Sequence, residues 1–511
     1  YWTSSEDGNW GTAATTGFFR TMCYYPEFAE TEEWNEILMK RLENFNNTLL
    51  REDRSSKEGS LAYTNYTIST LMRNKAAADD VGVEYNISDK LKDCIVDHAK
   101  FMIRMSGPGL TDSQYGDGSA YTTDYYGYIQ QIGDWLKDPE VLWAAYKGKK
   151  GGKEPDFTSY FYPNAKQLTM RSGWTDDALF LYTNAKAADS FHEHWDDLAV
   201  VVSAYGEYLL ADPLHNTYNA NDMNRRWLVS SRGHNTIEMN GHCQKSMNPS
   251  GMDTCLPLGG KQGDFQRMEL NDSYDFTKIV SENYKNMSYR FDPSVQEMNP
   301  PVPTEVEPGM DNSRSILFVR PNFWIVSDYM DPVDKTKVQK YEQLWHMKPG
   351  SDITIDGQYQ LQPGESIGKV DGGELDTQIE NTQFVPGTGN GTIRSNNVSK
   401  PNILIVPTDI ETTEPKILRG LYAVNGLTRT TYATIEKNVQ GKTGMDTILF
   451  PTRANQDYKI DTTPLKLNDL PQGAGSSFKA HVKDISGVSN EEYNFTYYIL
   501  HEEDKQTDVR F

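Results

Sequence analysis

The sequence predicts an α+β chain of two parts, with helical hairpins over residues 1–150 and a large antiparallel β-sandwich over 151–511. Three observations carry this. Apolar residues recur every three to four positions in the first part. A basic, Gly-rich stretch, "GKKGGKEPDF", follows at 148–157. Beyond it the pattern changes to alternating or short apolar runs punctuated by turn residues.

The helical elements come first. "FAETEEWNEILMKRLENFNNTLL" spaces Phe28, Trp34, Ile37, Leu38, Leu42 and Phe45 as one helical face. "ISDKLKDCIVDHAKFMIRM" opens on Ser88 as an N-cap and places Leu91, Cys94, Ile95, His98 and Met102 together. "YIQQIGDWLKDPEVLWAAYKG" predicts a further helical pair. After the linker, "DALFLYTNA", "LAVVVSAYGEYLLAD", "HNTIEMNG", "SILFVRPNFWIVSDYMD", "YEQLWHM", "NILIVPT" and "FTYYIL" read as strands.

With 511 residues, 37% hydrophobic and 24% charged, the chain can bury real cores. A net charge of −22 excludes a general nucleic-acid binder, which needs a basic face. No apolar run reaches the length of a membrane helix. The four cysteines are too sparse for a disulfide framework; a Cys243–Cys255 bridge and free core thiols are the two readings. An aromatic content of 12% suits sugar stacking and β-sandwich cores equally.

Three stretches could carry chemistry. In "FHEHWDD", a strand would point His192 and His194 to one face. With Asp212 in "LLADP" and His234 in "SSRGHNT", His194 could complete a two-His, one-Asp site for a divalent metal, most naturally zinc with an open position. Internal hydrogen bonding of these histidines is the structural alternative. "REDRSSKEGSLAYTNYT" leads through Glu-Gly-Ser to Tyr63 at a helix start, where a tyrosine is either a proton donor or a packed aromatic. "SSEDGNWGTAATTGFFR" sets Asn9 and Trp10 just before a helix, where Asn9 is a cap or a catalyst.

Together, these stretches resemble the heparinase II/III-like polysaccharide lyases. The resemblance lies in "NWG", "EGSLAYTNY" and above all "MRSGWTDDALFLYTNA…FHEHWDDLAVVVSAYGEYLLADP…YNANDMNRRWLVSSRGHNTIEMNG". It implies an α/α toroid, of which 1–150 is an incomplete portion, joined to the β-sandwich. It also implies Asn9, Tyr63 and His192 as catalytic residues and His194, Asp212 and His234 as ligands of a structural divalent metal, zinc by expectation. Substrate contacts are expected at Trp10, Glu58, Tyr218 and Arg232. The expected partner is an anionic uronic-acid polysaccharide, heparan sulfate-like, with no nucleic acid; the substrate class places the protein outside the cytoplasm. Two other readings stand beside this one. A toroid glycoside hydrolase would need opposed carboxylates, for which Glu58 and Asp117 are candidates. A glycan-binding protein would need no catalytic trio.

Overall fold

The structure is a computed structural model that describes residues 8–118, 124–185, 192, 194–219, 222–244, 263–287, 307–357, 374–380, 382–424, 426–465, 475–501 and 509–510. The chain divides into two compact units. The first holds the described residues up to Thr169, together with His192; the second holds the remaining described residues from Met170 onward. The chain passes from one to the other within the strand Gln167–Arg171.

Among the described residues, the first unit contains six α-helices: α1 (Gly8–Tyr24), α2 (Thr31–Thr48), α3 (Leu61–Asp80), α4 (Asp89–Met105), α5 (Tyr126–Leu136) and α6 (Pro139–Tyr146). Their packing follows the apolar spacing. Leu38, Leu42 and Phe45 are the buried stripe of α2, while Ile37 stays exposed. In α4 the whole expected face (Leu91, Cys94, Ile95, His98 and Met102) is buried, and Ser88 caps it by accepting from Leu91 N–H at 3.2 Å. The α5–α6 pair turns at Asp138, whose carboxylate accepts from Glu140 and Val141 N–H at 3.0 and 3.1 Å, with Pro139 opening α6. Asn9 and Trp10, expected just ahead of a helix, lie within the first described turn of α1.

The second unit is antiparallel and layered. Its central sheet has eight strands in the order Ile353–Ile355, Ile393–Ser395, Asn402–Pro407, Thr443–Thr452, Phe323–Pro332, Met310–Val319, Tyr274–Val280 and Asp264–Leu270. Alternation divides its side chains between two faces. Leu317, Phe323, Ile325, Leu404 and Ile448 pack on Phe478, Val482, Tyr497 and Ile499 of the C-terminal sheet. On the other face Arg314 is fully buried and paired with Asp328 at 2.7 Å. Gln343 of the strand Val338–Trp345 donates to the same carboxylate at 2.8 Å, which joins the four-stranded sheet containing that strand to the central one. The run "LAVVVSAYGEYLLAD" is a hairpin, Val200–Ala204 and Glu207–Leu210, turning at Tyr205-Gly206. Cys23, Cys94 and Cys243 are free thiols; Cys255 lies outside the described residues. Among the described residues no helix is long and apolar enough to cross a membrane.

Candidate active site and metal group

The first unit gathers Asn9, Glu58, Tyr63, Asp117 and His192. Tyr63 sits in the opening turn of α3, which Ser60 caps: the Ser60 hydroxyl accepts from Tyr63 N–H at 3.3 Å and donates to the carbonyl of Asp117 at 3.1 Å. The Tyr63 ring lies flat on the His192 imidazole, with centroids 3.5 Å apart and planes 11° off parallel. His192 Nδ1 lies 3.0 Å from the Asp117 carboxylate, within hydrogen-bonding distance, and both side chains are buried.

Glu58 is buried beside this pair, and neither of its oxygens makes a full hydrogen bond. Its pKa is raised because burial penalises the carboxylate; the nearby His192, the Asn9 N–H and Arg51 oppose that without overcoming it. Trp10 is 75% exposed on α1, so its indole face is open to a ligand.

The expectation that His192 and His194 share one face of a strand is overturned. His192 has φ 61°, a left-handed conformation that breaks strand periodicity, and neither histidine lies in a strand. The two instead belong to different units.

In the second unit His194, Asp212 and His234 are all buried, and their ligand atoms lie within 4.8 Å of one another. Asp212 follows the hairpin strand Glu207–Leu210, and His234 follows the tight turn Ser231–Gly233. His234 Nδ1 donates to Asp212 at 2.7 Å, and the two imidazoles are 5.3 Å apart. Two imidazoles and a carboxylate in a sealed position fit a divalent metal that needs nitrogen and oxygen donors. The group could therefore hold a metal ion.

Tyr218, 45% exposed, lies in the same unit, with the guanidinium of buried Arg225 4.9 Å from its ring. Arg232, expected at the substrate, has another employment. Its three nitrogens pair with Glu238, Glu342 and Asp376 at 3.0, 3.2 and 3.4 Å, and its side chain is only 3% exposed. We therefore assign it no substrate contact. Arg54, another local cation, is likewise paired, with Asp97 at 2.6 Å. The residue that sequence reasoning undervalued is Asp117, noted only as a hydrolase candidate. It lies 75 positions before His192, and no local spacing links the two.

Comparison with known proteins decides the family. The model described as Heparinase II/III N-terminus matches residues 1–141, and the one described as Heparinase II/III-like, C-terminal, matches residues 158–291. The chain belongs to the heparinase II/III-like family. A heparin-sulfate lyase of Pedobacter heparinus is 21% identical over 311 residues, 60% of this chain and 41% of that protein. The chain thus spans less than half of that relative. A heparinase III crystal structure superposes with TM-score 0.70 at 13% identity, covering 96% of this chain and 68% of the other. A heparan sulfate lyase of Pedobacter heparinus gives TM-score 0.64 at 17% identity, covering 94% and 65%. These likenesses establish a heparinase III-like fold, helical first and antiparallel β after it.

Proposed function

We propose that this heparinase II/III-like protein is a polysaccharide lyase that cleaves a uronic-acid polymer by β-elimination. The observation that carries the reading is the Tyr63–His192 stack at 3.5 Å, with His192 anchored and Asn9 and Glu58 in the same unit. A proton donor and a proton acceptor that close serve a reaction in which one proton leaves carbon and another reaches an adjacent oxygen.

In this mechanism His192 takes the C5 proton, since imidazole is suited to proton transfer near neutrality. Asn9 hydrogen-bonds the uronate carboxylate and stabilises the enolate-like charge that develops. Tyr63 protonates the departing glycosidic oxygen, leaving a 4,5-unsaturated uronate. Trp10 offers a stacking surface for a sugar, Glu58 is a further substrate contact of the first unit, and Tyr218 is a separate candidate contact of the second unit. Neighbours this close act from one side of the ring, which favours syn elimination, as in gluco-configured uronates, where the C5 hydrogen and O4 are not antiperiplanar.

The names of the relatives support heparan sulfate or a similar low-sulfate glycosaminoglycan as substrate, and export to the periplasm or outside follows from that class. His194, Asp212 and His234 would hold a zinc ion. When bound, it would cross-link the chain on either side of the hairpin within the second unit. The 1–150 and 151–511 division remains our proposal for the domain boundary. Against a hydrolase reading, the Asp117 side chain is sealed and hydrogen-bonded to His192, so it cannot oppose Glu58 across a sugar.

The test is a screen of heparan sulfate, heparin, hyaluronan, chondroitin sulfate and alginate for new ultraviolet absorbance. One of these polymers should yield the conjugated product, and His192→Ala should abolish it with the fold intact. Product formed undiminished by that variant, or saturated products only, would reject the mechanism.

A further inference from the structure

Three chain segments distant in sequence meet at Asp117. Its N–H donates to the His192 carbonyl at 2.9 Å, and its carboxylate lies 3.0 Å from His192 Nδ1. Its own carbonyl accepts from the Ser60 hydroxyl at 3.1 Å, the same hydroxyl that caps the helix carrying Tyr63. The neighbouring Gly116 makes this convergence sterically feasible. It has φ 61°, and a Cβ there would stand 2.3 Å from the His192 carbonyl oxygen and 2.4 Å from that of Gly59. Side-chain exposure is 0% at Asp117 and 5% at His192, so solvent does not compete for the carboxylate.

Resting on the lyase reading above, we propose that Asp117 is a positioning residue. It holds the proton of His192 on Nδ1, keeps Nε2 as the acceptor, and ties this base to the cap of the helix that presents Tyr63. Two contacts to one histidine, one through the backbone and one through the side chain, fix both its placement and its ring rotation. A carboxylate accepting the Nδ1 proton sets the tautomer and stabilises the imidazolium as it forms. During elimination the C5–H bond breaks and its proton goes to Nε2. The electron pair left on carbon forms the C4–C5 double bond, the C4–O4 bond breaks, and O4 takes the phenolic proton of Tyr63. Asp117 accepts a hydrogen bond throughout and gains no proton. The third contact, through Ser60, gives the arrangement a purpose beyond packing: base and acid keep one register because one residue holds both.

The experiment uses the full chain with ¹⁵N-labelled histidine. Long-range nitrogen–proton correlation should show the His192 proton on Nδ1, the resonance being assigned by its loss in His192→Gln. Asp117→Asn, close to isosteric, should lower kcat by about 10²–10⁴-fold with KM and melting temperature little changed. Asp117→Glu, which keeps the acceptor, should recover part of that loss. A wild-type proton on Nε2 overturns the proposal, as does an Asn variant that turns over like wild type or loses activity through KM alone. Should Asp117→Asn fail to fold, the wild-type spectrum decides by itself. If the wild type yields no unsaturated product from any uronate polymer, the lyase reading falls, while the spectrum still decides how Asp117 holds His192.

Discussion

Replacing Arg232 by Met separates a structural cation from a substrate-binding one. Arg232 is paired with Glu238, Glu342 and Asp376 at 3.0, 3.2 and 3.4 Å, and the exposure of those side chains is 0, 3 and 1%. The same cluster includes Tyr432, whose hydroxyl donates to Asp376 at 2.8 Å, and Trp227, whose indole N–H donates to it at 3.0 Å. Without the guanidinium, three buried carboxylates would be left with Lys340, 2.9 Å from Glu342, as the remaining cation paired within the cluster. Breaking a buried ion pair in this way costs about 3–5 kcal/mol. At about 2 °C per kcal/mol for a large unit, the melting temperature should fall by on the order of 6–10 °C. Differential scanning calorimetry and denaturant titration read the stability, and initial rates on the cleaved polysaccharide read KM. Stability should drop with KM nearly constant. Unchanged melting with a large rise in KM would refute the structural assignment and return Arg232 to the substrate.

Glu58→Gln tests the cost of a buried carboxylate. Because the pKa of Glu58 is raised in the fold by burial, its contribution is fully present below the unfolded value near ~4.3 and is lost as pH rises through the folded value. The Gln variant should therefore match wild type in acid and melt higher than wild type at pH 8, and a wild type that is the more stable at pH 8 contradicts this. Removing the metal with a chelator, or mutating His234→Ala, should lower both bound metal and melting temperature, by about 2.7 kcal/mol of stability for an ion held at 100 times its Kd. A metal assay identical in wild type and variant disposes of the ion. Ser60→Ala should cost about 1 kcal/mol as a lost N-cap and also lower kcat, because the tether to Asp117 goes with it. Turnover at the wild-type rate in that variant would show that the tether does not govern the site.

Much of the fold was legible because local physics decides it. Ser88 caps α4, and the face from Leu91 to Met102 is buried as the spacing required. A cap and an apolar stripe act over a few residues, so a linear reading finds them. The metal trio was legible as one candidate ligand set, though His194 was expected on a strand that it does not occupy. His192 was legible as a residue, yet its conformation was not. A positive φ at a non-glycine residue has no composition cue, and here the contacts with Asp117 hold it. Arg232 looked available because an arginine in "SSRGHNT" carries no mark of its partners, which come from positions as distant as Asp376.

By itself, the sequence determined the helical and antiparallel parts, the caps, and the residue types able to transfer a proton or bind a metal. Tertiary structure decided how they are used. It assigned His192 and His194 to separate units, set Tyr63 against the imidazole, and placed Asp117 against both His192 and the Ser60 cap of the helix that carries Tyr63. The physical reason is range. Helix capping and apolar periodicity are satisfied within a turn or two, whereas a buried carboxylate must find its partner wherever the chain brings one within hydrogen-bonding distance.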